Sequence, residues 1–375
     1  MSPRRPRQTR SSVTPPSPPQ ARRRGRVLQS ATVGALPILN RFLDRMRLES
    51  FLRAALPVED RRTKLSPVKA LLLLVQNVLV SRAPIYGMGE WAVRHAPDLV
   101  GLTQAEIALL NDDRVGRALD KLFAADVPAL VLAVARHVVQ EFGVSLDELH
   151  NDSTTVSFYG AYSEAAEERR LFGRPTLAIT FGYNKDHRPD LKQLLFILTV
   201  TEDGGVPLHF RAASGNVVDD QTHRDTWDVL CQLTGRRDFL YVADCKLATS
   251  ENMAYLHQRQ GRFVTVLPRT RNEDGAFRAL VQQDQVTWRP LWTKTDDEGN
   301  VLDRFSTSEP PAQTAEGYRL LWYHSQRKAE QDAVARCDRI DRALKHLAAL
   351  REQLRSPRTR YRQEAKVHQA AAEIL

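Results

Sequence analysis

The strongest constraint on this chain is a change of periodicity near His150. Upstream, from Ala35 to about Phe142, apolar residues recur at helical spacing; Leu39, Phe42, Leu43 and Met46 fall at i, i+3, i+4 and i+7. Ser66-Pro67 places a capping residue before a proline at the first helical position and starts a helix over Val68–Val80. Pro84 and Gly87, within Arg82–Trp91, break it. Thr103 with Glu106 forms a capping box, and Val127–Val139 closes the region as an amphipathic helix. Tyr86 and Trp91 read as core aromatics rather than base-stacking groups.

Downstream the period shortens to that of strands. Ser153–Tyr159, Thr176–Tyr183, Leu194–Val200 and Val206–Ala212 are rich in β-branched and aromatic residues, and Asp203-Gly204-Gly205 turns the third into the fourth. A helix over Asp219–Leu233, a strand over Phe239–Ala243, a helix over Glu251–Arg259 capped by Ser250, and a strand over Phe263–Leu267 follow. A meander that passes into strand–helix alternation implies a mixed α/β sheet with helices on its faces. Residues 270–307 are polar and acidic, with a turn at Asp296–Asn300; Tyr318–Tyr323 reads as a strand. From Ser325 to Arg355, Ala329, Ala333, Cys337, Ile340, Leu344, Leu347 and Leu350 mark one face of a long helix, and Arg336, Arg339, Arg342 and Lys345 mark another. Four segments result: a basic tail over 1–30 too polar to order itself, a helical domain over 31–145 for binding DNA ends or dimerising, a sheet core over 146–268, and residues 269–375 with the long helix.

Charge is unevenly distributed. Residues 1–26 hold eight arginines and no acid, so subtracting them from the net +9 leaves +1 for the other 349 residues. Such a tail suits a polyanion such as DNA, or serves only to keep the chain in solution. Cys231, Cys245 and Cys337 have no zinc-like spacing and are odd in number, as expected of a reduced cytoplasmic protein. Val68–Val80 is interrupted by Lys69, Gln76 and Asn77 and falls short of the roughly 20 apolar residues that span a bilayer, so no membrane role is expected.

Two carboxylates carry the chemistry. Asp152 opens a strand-forming run and Asp244 ends the strand Phe239–Ala243. Paired carboxylates at strand ends suit a hard divalent cation, Mg²⁺ or Mn²⁺, although many such aspartates only cap the next helix. Lys185, His187, Arg188 and Lys192 form a basic cluster, oriented by Asp186 and Asp190, that either contacts phosphate or is a solvated loop. Lys246 meets DNA or points to solvent, and the long helix tracks a DNA backbone or is simply solvated. His150 and Asn151 flank Asp152, with His150 the more ordinary packed or solvated histidine. Ser214-Gly215-Asn216 is a tight turn or a loop beside the site, and Asp219 and Asp220 read as helix caps.

LHNDSTTVSFYG (149–160), FGYNKDHRPDLKQ (181–193), SGNVVDD (214–220) and VADCKLATSENM (242–253), in this order, resemble the DDE transposases of bacterial insertion sequences. ALPILNRFLDRM (35–46) and RAPIYGMGEW (82–91) resemble the helical N-terminal domain of one branch. The resemblance spans most of 35–350 and implies an RNase H-like core with a long insertion before its last catalytic residue. It implies that Asp152, on the first core strand, and Asp244, just after the fourth, are catalytic and bind Mg²⁺ or Mn²⁺. The strands counted above leave that fourth position open by one. The family's third carboxylate is a Glu within Tyr-x2-Arg-x3-Glu-x6-Lys. Here Tyr318 is followed at +3 by Leu321, Tyr323 by Gln326 and Tyr361 by Glu364, so none fits. In this branch that signature lies beyond Leu375, and the resemblance implies a truncated copy of low or no activity. It implies as partners element-end and target DNA and a second copy in a homodimer, in the bacterial nucleoid. The alternatives are a non-catalytic DNA-binding fragment that inhibits the intact enzyme, a nuclease whose third ligand is Glu251 or Glu330, and a product that does not fold stably.

Overall fold

A computed structural model describes residues 30–374 except 59, 61, 167–168, 185–186, 219–221 and 310–311. Two compact units result: residues up to Val144 together with Glu164–Thr176, and Ser145–Ser163 together with Leu177 onward.

The first unit is helical. Its helices are α1 (Leu36–Arg45), α2 (Leu48–Ala55), α3 (Pro67–Val80), α4 (Met88–Val93), α5 (Gln104–Ile107), α6 (Asp112–Ala124) and α7 (Val127–Phe142). A 3₁₀ turn over Ile85–Gly87 follows the break after α3. The expected capping box forms: Thr103 Oγ1 accepts from the Glu106 N–H at 3.2 Å, and Glu106 accepts from the Thr103 N–H at 2.8 Å. Leu36, Leu73, Met88, Trp91 and Val115 are buried in one core, each such side chain contributing roughly 1.5–3 kcal/mol of transfer free energy. Tyr86 departs from expectation. It is 78% exposed, because the 3₁₀ turn aims it away from the core that takes Trp91. The short hairpin β2 (Arg170–Leu171) and β3 (Arg174–Pro175), preceded in the chain by β1 (Glu148–Phe158), belongs to this unit. The Arg174 guanidinium donates to the Ala125 carbonyl at 2.5 Å, where α6 leaves its last carbonyls unpaired.

The second unit is built on one five-stranded sheet. With β4 (Lys192–Thr201), β5 (Pro207–Ser214), β6 (Leu240–Ala243) and β7 (Arg262–Thr265), the order is β5-β4-β1-β6-β7. β5, β4 and β1 are antiparallel, and β1, β6 and β7 are parallel. Taken in chain order the core strands lie 3-2-1-4-5, the RNase H-like arrangement. The expected mixed α/β core is therefore present. Helices α8 (His223–Thr234) and α9 (Ser250–Gln258) make the crossovers on either side of β6. They bury Trp227, Leu230 and Leu256 with Leu149, Phe239 and Tyr241.

Several sequence expectations are corrected. β1 starts at Glu148, so Asp152 sits in mid-strand and not at the start of one. Thr176–Tyr183 is not a strand; only Thr180 bridges to Gln193. The helix N-cap is Thr249, whose hydroxyl accepts from the Asn252 N–H at 3.1 Å, while Ser250 donates to Glu316 at 2.7 Å. α8 begins at His223, and Asp219 and Asp220 lie outside the described residues. The polar span 270–307 is folded as α10 (Asn272–Gln282) and the hairpin β8 (Thr287–Thr295) and β9 (Val301–Glu309), with Asp296–Asn300 at its turn as expected. Its exposed position explains the polar composition. Tyr318–Tyr323 divides between two short strands, β11 (Arg319–Leu320), paired with β10 (Ala312–Gln313), and β12 (Tyr323–Ser325), paired with β9. The long helix is α11 (Gln326–Arg355), followed by α12 (Glu364–Ile374). Among its apolar stripe only Leu350 is buried; Ile340 and Leu344 are exposed.

Candidate active site

The site is organised by the β1–β6 pair. Their parallel register ends with Asn151 opposite Ala243, so the next residue on each is an aspartate, Asp152 and Asp244. Removing Thr176–Tyr183 from the sheet makes β6 the fourth core strand in chain order, and Asp244 follows it directly.

Strand alternation sets the faces. Asn151 and Ser153 point into the core, and Asp152 is exposed on the other face with Thr154 and Val156. Asn151 is held there by Thr199 of β4, whose hydroxyl donates to its Oδ1 at 2.9 Å. The Asp152 carboxylate accepts from the Ser153 N–H at 2.7 Å. Asp244 leaves the strand in a tight turn, its Oδ1 accepting from the Lys246 N–H at 3.0 Å and its carbonyl from Thr265 Oγ1 at 2.6 Å. Beneath it, burial first and the Asp244 charge second hold the Tyr241 phenol well above its ordinary range, and His223 Nδ1 lies 3.1 Å from that hydroxyl.

Two aspartates at adjacent positions fit a hard divalent cation, which needs one or two protein carboxylates and completes its shell with water and substrate oxygen. Among the described residues no cluster of three His, Cys, Asp or Glu side chains is present. Glu251 instead pairs with Arg224 at 2.8 Å, and Glu330 accepts from Gln326 Nε2 at 2.9 Å. Sequence reasoning passed over Glu148, which meets His150 Nε2 at 2.8 Å on the face that carries Asp152. Alternation at i, i+2 and i+4 along β1 was the signal that could have found it.

The described basic candidates each have their own partner or exposure. Lys185 and Asp186 lie outside the described residues. Arg188 is held by both oxygens of Asp190, at 2.8 and 2.7 Å, which raises the guanidinium and lowers the carboxyl. His187 is exposed, with a left-handed φ of 56°. Lys192 donates to the Ala161 carbonyl and lies 5.9 Å from the centre of the Phe181 ring. Lys246 lies 5.6 Å from the Tyr183 ring centre. Phe181 and Tyr183 are exposed aromatics, so each of these two lysines is paired with a face that a base could also stack on.

Gly182 and Gly215 explain why two separated motifs occur together. A Cβ on Gly182 would lie 1.9 Å from the Gly215 carbonyl, and one on Gly215 would lie 2.1 Å from the Gln193 carbonyl. Gln193 Nε2 ties the layer together by donating to the Gly215 carbonyl at 2.8 Å. Ser214-Gly215-Asn216 therefore packs at the far end of β4 and β5, and the Ser214 hydroxyl accepts from the Ala178 N–H at 3.0 Å.

The model of a domain of unknown function (DUF4277) matches residues 28–136. No curated protein matches the chain in sequence. Among solved structures, piggyBac transposase in a synaptic complex with hairpin DNA aligns with 78% of this chain and 59% of its own, at 9% identity and a TM-score of 0.32. The chain thus spans less than two thirds of that transposase. Mos1 transposase in a paired-end complex with the left transposon end aligns over 68% of this chain and 76% of its own, at 10% identity and a TM-score of 0.22. The Mos1 mariner paired-end complex with Mn aligns over 68% and 75%, again at 10% and 0.22. Likenesses this loose leave the fold assignment on the strand order itself. Among the described residues no single helix is long and apolar enough to cross a membrane.

Proposed function

We propose that this chain is a DDE-type transposase of the bacterial insertion-sequence kind, acting on phosphodiester bonds at DNA ends. The observation that carries the reading is the register of β1 and β6, which brings Asp152 and Asp244 to adjacent positions at the head of an RNase H-like sheet. The motif order in the sequence supports it independently. Asp152 and Asp244 hold a divalent cation, Mg²⁺ or Mn²⁺, whose chemistry is to acidify a water or 3′-hydroxyl and to stabilise a leaving oxygen. The chain's own residues orient these two carboxylates. Asn151, locked by Thr199, fixes the β1 register, and the Lys246 N–H fixes Asp244. Lys192 and Lys246, beside Phe181 and Tyr183, contact the DNA backbone, with His187 and Arg188 at the loop tip. Among the described residues no third carboxylate is grouped with these two.

The test is Mn²⁺ binding by electron paramagnetic resonance together with nicking of duplex DNA taken from the flanks of the gene. Bound Mn²⁺ is expected with residues 1–375 and is lost on Asp152→Asn or Asp244→Asn. Slow nicking in Mg²⁺ is expected with the unaltered chain and in neither variant. Nicking that persists in both variants, or Mn²⁺ binding indifferent to both, sinks the reading. Duplex binding with neither nicking nor metal dependence favours the second reading, a DNA-binding protein that occupies element ends without cutting them.

A further inference from the structure

The helical unit carries a basic pocket that its near-neutral composition conceals. Arg62 and Lys64, just before α3, and Arg114, Arg117 and Lys121 on α6 line a single cavity of about 310 Å³. No acidic residue lines it, although α6 also carries Asp112, Asp113 and Asp120. The segregation follows from helical spacing. Positions 114, 117 and 121 fall at i, i+3 and i+7 and so share one face. Small residues open the gap. Ala70 and Ala118 are each 1% exposed where α3 meets α6 and, with Leu65 and Pro67, they line the recess around which the long cations stand.

Among the described residues, none of these five side-chain cations is ion-paired with a carboxylate, although the Asp60 carboxylate accepts from the Arg62 backbone N–H at 2.9 Å. Arg114 donates to the Leu109 carbonyl at 2.9 Å and Arg117 to the Asp113 carbonyl at 3.1 Å, bonds that orient the guanidinium groups without neutralising them. Five like charges around one recess repel one another and are stabilised by a polyanion. From Arg114 to Lys121 the row extends about 10 Å along the helix axis, more than one phosphate group covers. Guanidinium forks match phosphate oxygens two at a time.

We propose that this pocket is a binding site for the phosphodiester backbone of duplex DNA. The ligand class rests on the DNA reading above, but the site uses neither Asp152 nor Asp244. Phosphate contacts position a protein on DNA without reading sequence, so the pocket sets affinity and salt dependence and not site choice.

The experiment is a fluorescence-anisotropy titration of a labelled duplex with residues 1–375 at several salt concentrations. It compares the unaltered chain with Lys64→Gln/Arg117→Gln/Lys121→Gln. Removing three phosphate contacts is expected to lower the slope of log affinity against log salt by about 2.7 and to weaken binding roughly 10–100-fold. The charge-preserving Lys64→Arg/Arg117→Lys/Lys121→Arg chain keeps the original slope. An unchanged slope in the glutamine variant overturns the proposal, as does an equal loss in the charge-preserving variant, which would mean that the fold was damaged. If poly-glutamate binds as tightly as the duplex and loses as much, DNA is the wrong occupant. Repeating the titration in an Asp152→Asn background separates this result from the cleavage reading, since the slope is expected to be the same there.

Discussion

At the residue scale, the two aspartates owe their adjacent positions to the register of β1 and β6 and not to their own chemistry. A one-residue slip of β6 against β1 would turn Asp244 toward the opposite face. The buried Asn151–Thr199 pair fixes β1 against β4, and the Gly182–Gly215 crossing fixes the end of β5 against the segment that precedes β4. Gly215 is the more exposed to challenge, because two backbone carbonyls, from Gln193 and Thr180, occupy the space a Cβ needs. Gly215→Ala is therefore expected to destabilise the second unit by at least the ~1–3 kcal/mol typical of overpacking, since backbone cannot rotate away as a side chain can. Urea unfolding of the variant against the unaltered chain measures it, and a midpoint left in place would contradict the crossing.

At the element scale, the acidic stretch after β7 is held by a small ionic network. Arg271 bonds Glu273 at 2.8 Å and Glu316 at 2.6 Å, joining the start of α10 to the turn between β10 and β11. Those bonds hold the Glu273 carboxyl down to about 2 and the Glu316 carboxyl lower than the usual range. Both groups titrate at lower pH in the folded chain than in the unfolded chain, where glutamate titrates near about 4.3. Their contribution is thus complete above that value and is lost as pH falls toward about 2. Arg271→Ala is expected to lower the melting temperature at neutral pH and to flatten its fall between about pH 4.3 and pH 2. Melts across that range in both chains decide it; parallel curves would remove the network from the account. Most strands and helices were legible because burial imposes a period, as in β4, where every second residue from Gln193 to Thr201 is buried. Thr176–Tyr183 was misread for a related reason. Its apolar alternation is that of a strand, but Gly182 crosses Gly215 and only Thr180 pairs. The hairpin of β8 and β9 was missed because both its faces are largely exposed, leaving no alternation to read.

At the scale of the whole molecule, charge is divided between an arginine-rich N-terminal tail and local clusters in a body near neutrality. Deleting residues 1–26 is expected to weaken duplex binding and to reduce the salt slope by up to about 7, one contribution of ~0.9 for each arginine that meets a phosphate. Anisotropy titrations with and without the tail give the slope directly, and equal slopes would assign the tail to solubility. The basic recess of the helical unit is a different kind of feature. Arg62 and Lys64 stand fifty residues and more from the α6 cations, with acidic residues between them, so no single window of the sequence holds all five.

What the sequence determined by itself was the helical character of the first region, the break near His150, most of the core strands and helices, and the two aspartates with their surrounding motifs. Those follow from local steric and burial periods, which act between neighbours in the chain. Only the tertiary structure decided that Asp152 lies in mid-strand, that β6 is the fourth core strand and adjacent to β1, and that five separated cations share one recess. Those depend on register and on helix packing, where residues distant in sequence compete for the same space, and no local pattern records the outcome.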